Sequence, residues 1–207
     1  MDGDYLITLL RHAESVGNAE NVYQGQKDYP LTEKGREQAQ ALARRWQEEG
    51  ATFDHIISSP LTRAKETAEI VASALNIPLE FDELWLERDN GKMSEMNPEE
   101  REAAFSKPVS LYRSPGETGE GEWDLYLRAG QAVQSLLNRP AGNYLIVSHG
   151  GILNKVLYSI LGIAPDPGRR GPRFDFPNAA FARLQYSAKW HSWRVMGLGD
   201  LHHLNGA

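Results

Sequence analysis

Arg11-His12 stand together directly after an apolar run, and they are the first place in the chain where covalent chemistry is possible. A neutral imidazole can attack phosphorus and form a covalent intermediate, which divides one difficult displacement into two easier ones. A neighbouring guanidinium presents forked N–H donors that match phosphate oxygens. Taken alone the dipeptide fits a capping arginine beside a surface histidine equally well. Three more positions share its character. Arg63 falls in the first turn of a helix announced by Ser59-Pro60, where unpaired N–H groups and the helix dipole already favour an anion. His149 lies between a buried-type strand and Gly150-Gly151, which would let backbone and phosphate approach closely. Glu87 closes the Leu84-Trp85-Leu86 segment and is expected to be a proton-donating carboxyl in a partly apolar pocket. Each has an ordinary alternative: a solvated helix arginine beside Glu66 or Glu69, a turn histidine, a solvated glutamate.

The other histidines carry no such promise. His202 and His203 lack an acidic or thiolate cluster at ligand spacing, so no metal site is expected, and His55 and His191 read as structural. There is no cysteine, which excludes disulfides, thiolate catalysis and cysteine-ligated metal. Arg169, Arg170 and Arg173 read as a solvated basic loop, and Trp85, Trp123, Trp190 and Trp193 as core.

For these residues to meet, the elements that carry them must converge. Tyr5 to Leu10 and Tyr144 to Ser148 are short apolar runs of the kind buried on both faces of a sheet, and Phe53 to Ser58 is a third strand. Thr32 is a credible cap for a helix to about Glu49, and Ser59-Pro60 for a helix in which Leu61, Ala64, Ala68, Val71 and Leu75 recur at helical spacing. A short strand around Leu79 to Phe81, helices from Trp123 to Leu137 and from Ile152 to Leu161, and closing strands at Phe181 to Tyr186 and Trp193 to Met196 complete the pattern. Residues 14 to 31 and 163 to 175 read as loops. Residues 88 to 121, interrupted by Pro98, Pro108 and Pro115, read as an irregular insertion over the active site. Strands alternating with helices predict an α/β fold, a mostly parallel sheet covered on both faces. Ligands in such sheets bind beyond the carboxyl ends of the strands, where Arg11-His12, Ser58-Ser59 and Ser148-His149 all fall.

At 207 residues the chain suits one domain, 1–207, with the inserted segment as its lid. Its net charge of -6 argues against a nucleic-acid partner. No apolar run approaches the ~20 residues of a membrane span, and the acidic start does not read as a signal peptide, so the cytoplasm is the expected location. A homodimer is the default assembly, symmetric pairs being the commonest.

Together the motifs resemble the histidine phosphatase superfamily, the group that includes the cofactor-dependent phosphoglycerate mutases. Leu9-Leu10-Arg11-His12-Ala13-Glu14-Ser15 with Asn18, Gly25, Pro30-Leu31-Thr32 and Gly35 resembles its first segment, and Ser58-Ser59-Pro60-Leu61-Thr62-Arg63-Ala64 its second. Glu87-Arg88 with Gly91 is similar to its acid segment, and Val147-Ser148-His149-Gly150-Gly151 to its last. The resemblance implies a three-layer α/β/α sandwich and a small phosphorylated metabolite as substrate, with no cofactor and no metal. It makes His12 the nucleophile and Glu87 the general acid and base. Arg11, Arg63 and His149 would hold the phosphoryl group, helped by Asn18, Gln24, Gly25, Arg88 and Gly150. Ala13 departs from the family's glycine. The mutases' usual tyrosine, lysine and asparagine are replaced here by Asn90, Pro98 and Gly151, and the sequence therefore favours a phosphatase over a phosphoglycerate mutase.

Overall fold

The computed structural model describes residues 3–106, 110–166 and 171–204. Six strands form one sheet in the order β3-β2-β4-β1-β5-β6. They are β1 (Asp4–Arg11), β2 (His55–Ser58), β3 (Leu79–Phe81), β4 (Asn143–Ser148), β5 (Phe181–Ser187) and β6 (Ser192–Asp200). β1, β4, β2 and β3 run parallel, while β5 and β6 pair antiparallel on the far side of β1.

Side-chain alternation along the strands divides the core in two. Tyr5, Ile7 and Leu9 with Tyr144 and Ile146 face α5 (Glu122–Leu137) and α6 (Gly150–Leu161). Leu10 with Leu145 and Val147 faces α2 (Glu33–Glu48) and α3 (Thr62–Leu75). The result is the expected three-layer α/β/α sandwich. The register sets Arg11 beside Ser148, and Ser58 beside Val147, so the ends of the three central parallel strands share one rim.

Several local expectations need correction. Residues 14 to 31 are not all loop, because Ser15 caps a short helix, α1 (Val16–Ala19), and pairs with Leu31 as an isolated bridge. α3 begins at Thr62 behind Leu61, which makes no side-chain cap, so Ser59 does not cap it. Pro98 does not interrupt the inserted segment but opens α4 (Pro98–Ser106), where its missing N–H costs nothing. Trp85 is core as expected, but Trp190 is 71% exposed. Pro108, Arg169 and Arg170 lie outside the described residues.

Candidate active site

β1 delivers Arg11 to the rim, and the chain turns inward to bury His12, which is 3% exposed. The His12 amide donates to the Ser148 carbonyl at 2.9 Å, lacing the two histidine-bearing loops together. His12 Nδ1 lies 2.7 Å from the Ala13 carbonyl oxygen. A carbonyl only accepts, so Nδ1 carries the proton and the neutral ring keeps its lone pair on Nε2. Ala13 has no left-handed backbone angle, so its Cβ brings no strain where the family has glycine. The ring of His149 sits 5.1 Å from that of His12, centroid to centroid.

Burial holds both imidazoles well below their ordinary pKa, and the charges of Arg63 and Arg11 push the same way. Both rings are therefore neutral near pH 7. His149 Nε2 is 2.8 Å from Ser59 Oγ, and its Nδ1 is buried without a partner. Arg63 donates to the carbonyls of Gly25 and Lys27 at 2.7 and 2.9 Å, and Arg11 to that of Phe176 at 2.6 Å. Each leaves its Nε buried and unpartnered. An orphaned buried donor costs about 1–3 kcal/mol, and the two guanidinium Nε atoms beside one cavity are groups a phosphoryl anion would satisfy. Burial lowers Arg63 to about 10, still fully charged at neutral pH.

Glu87 lines the cavity that Val22, Phe174 and Phe176 also line, and its carboxylate is held by backbone amides. It accepts N–H bonds from Arg88 at 2.8 Å, from Gly151 at 3.0 Å and from Ile152 at 3.2 Å, the last two at the open start of α6. Arg128 of α5 fixes the approaching backbone by donating to the carbonyls of Leu84, Leu86 and Glu87.

A cavity of about 520 Å³ joins these groups, lined by Arg11, His12, Asn18, Gln24, Gly25, Arg63, Glu87, Arg88 and Gly150. His149 lies behind its wall, against His12. Asn18 Oδ1 accepts from the Ser15 amide and from Asn178, and Gln24 Oε1 from the Ser15 hydroxyl. Gly25 has φ +54, and a Cβ there would come 2.7 Å from Asn90 Nδ2, so the position requires glycine. Arg88 pairs with Glu122 at 2.7 Å, and Lys155 with the same carboxylate at 2.8 Å. The residues singled out from the sequence thus gather at one place.

Other side chains support this geometry. Ser59 reaches His149 from 90 positions away. Asn178 donates to the His12 carbonyl at 3.1 Å, Glu122 and Lys155 line the cavity, and Arg128 holds the Glu87 backbone. Ser59 had a local signal, its proline neighbour, but that signal suggested a helix cap. Nothing local marks the others. Among the described residues no cluster of His, Cys, Asp and Glu could hold a metal ion, and no helix is long and apolar enough to cross a membrane.

The family model of the histidine phosphatase superfamily (branch 1) matches residues 7–200. The chain belongs to that superfamily. It is 37% identical over 210 residues to the "Probable phosphoglycerate mutase GpmB" of Salmonella paratyphi C (strain RKS4594), covering 96% of this chain and 94% of that one. The solved structure of Bacillus stearothermophilus YhfR superposes with a TM-score of 0.82 at 30% identity, covering 97% of this chain and 99% of the other. Phosphoglycerate mutase from Bacillus anthracis str. Sterne superposes at 0.80 with 20% identity, covering 99% and 96%, and shows the shared fold. This member of the superfamily is therefore classed as a histidine-phosphatase hydrolase of small phosphomonoesters with a His/Glu active site.

Proposed function

We propose that His12 Nε2 takes the phosphoryl group of a small phosphomonoester and passes it to water. In the first step the Nε2–P bond forms in line as the P–O ester bond breaks. The electron pair leaves with the alcohol oxygen, which takes a proton from Glu87. In the second step water attacks phosphorus, the P–Nε2 bond breaks, and Glu87 takes the water's proton. The proton on Nδ1 never moves, because Ala13 O holds it. Arg11, Arg63 and His149 stabilise the transferring group, with hydrogen bonds from Asn18, Gln24 and the backbone of Gly25 and Gly150. Arg88 contacts the leaving group, and residues 88 to 121 serve as the lid. Positioning and electrostatics carry most of such a reaction. The observation that supports this reading best is the bond from His12 Nδ1 to Ala13 O, which leaves Nε2 as the nucleophilic atom.

A second reading has its own support. The curated relatives are named probable phosphoglycerate mutases, and those names back an isomerase better than a phosphatase. In that reading the phosphohistidine returns its phosphoryl group to another oxygen of the sugar acid. The sequence argument against it, from Asn90, Pro98 and Gly151, rests on missing groups alone. Glu87, whose carboxylate is held in place by three N–H donors, serves proton transfer in either reading and does not choose between them. Phosphate release across a metabolite panel, set against mutase turnover of phosphoglycerate with 2,3-bisphosphoglycerate added, decides between them. Hydrolysis is expected to exceed mutase turnover, and the reverse would transfer the assignment to the isomerase.

A further inference from the structure

Glu87 is docked on the first turn of α6 by two backbone N–H groups, those of Gly151 and Ile152. First-turn amides have no partner inside their own helix, so this carboxylate serves as their acceptor. The docking depends on residue 151 having no side chain. A Cβ built on Gly151 would overlap Glu87 Oε1 and lie 3.1 Å from Cδ and 3.3 Å from Oε2. Neighbouring Gly150 is different, since a Cβ there would meet nothing closer than 3.9 Å, at Arg11 Cδ. Gly151 has no positive φ, so its need for glycine is one of space and not of backbone angle.

We propose that Gly151 is a positioning residue for Glu87. By leaving room on the α6 terminus it parks the carboxylate as the base that activates water against the phosphohistidine. This rests on the two-step hydrolytic reading above and adds a claim about its second half. Water's O–P bond forms, the P–Nε2 bond breaks with its electron pair returning to His12, and the released proton goes to the docked carboxylate. A displaced Glu87 would still reach leaving groups of varied shape but would lose its fixed alignment towards water. Loss of the glycine should therefore slow dephosphorylation more than phosphorylation.

The test is a double-mutant cycle of Gly151→Ala with Glu87→Ala, read by rapid quench and by thermal melting. In the Glu87 background, Gly151→Ala is expected to lower kcat about tenfold or more and to raise the fraction of enzyme trapped as phosphohistidine. In the Glu87→Ala background the same change should alter the residual rate less than about twofold. Melting gives an independent reading. Alanine is the better helix former, so Gly151→Ala should raise Tm once Glu87 is truncated, and lower it while Glu87 is present. A kcat unchanged by Gly151→Ala, or an equal loss with and without the Glu87 carboxylate, would overturn the proposal. A wild type that releases no phosphate would instead defeat the phosphatase reading, and the pair of melting shifts would still decide whether Gly151 makes room for Glu87.

Discussion

At the scale of single residues the account turns on protonation. His12 must be neutral to attack, and burial together with Arg63 and Arg11 keeps its pKa well below the ordinary 6.5. An NMR titration of the free enzyme is expected to show the His12 ring uncharged at pH 6 and protonating only at much lower pH. Arg63→Met removes the largest charge acting on it and should move that titration upward. A wild-type ring titrating at or above 6.5 would show that the cationic cage does not tune it. These residues were legible in the sequence because each follows directly on a strand or opens a helix, where chain geometry allows few directions. The surroundings of Glu87 were not. A sequence marks the apolar Leu84-Trp85-Leu86 run before it, but not that the amides of Gly151 and Ile152, more than sixty positions later, would meet its carboxylate.

At the scale of elements, the register of β1 against β4 does the positioning, and the helices hold the sheet ends in place. One such tie involves no cavity-lining residue. Arg45 of α2 grips Asp200 at the end of β6 through two bonds of 2.6 and 3.0 Å. That grip holds the Asp200 carboxyl well below its usual 3.8, with Arg45 as the first cause. Because the folded pKa is depressed, the stabilisation is present above about pH 3.8 and is lost as pH falls further. Asp200→Asn should cost about 1–2 kcal/mol in a denaturant melt at pH 7, with activity retained. No change in stability would show the pair to be solvent-screened. The periodic elements were readable because α2, α3 and α5 each bury one clear face. The helix at Pro98 was misread because proline punctuates a chain without saying whether it stops a helix or begins one. α3 starts two residues later than Ser59-Pro60 suggests, behind Leu61, whose side chain makes no cap.

At the scale of the whole molecule, neutral buried histidines link stability to pH. His12 and His149 are held well below 6.5, and His203, desolvated beside Arg45, is lowered to about 4. Below pH 6.5 the unfolded chain takes up these protons before the folded one does. Stability is therefore complete above about 6.5 and declines towards pH 4, by up to about 1.4 kcal/mol per pH unit for each of His12 and His149 and by less for the part-exposed His203. Urea melts at pH 7 and pH 5 check this, and equal stability at both would contradict it. Inorganic phosphate, bound by the folded cage alone, should offset part of the loss.

The most direct test of the central claim is to quench the enzyme during turnover under alkaline conditions, which preserve phosphohistidine, and to map the modified peptide by mass spectrometry. One phosphoryl group on His12 is expected, absent from His12→Ala, whose kcat should fall by about 10³-fold or more. A phosphoryl group on any other side chain, or phosphate release that survives His12→Ala, would contradict it.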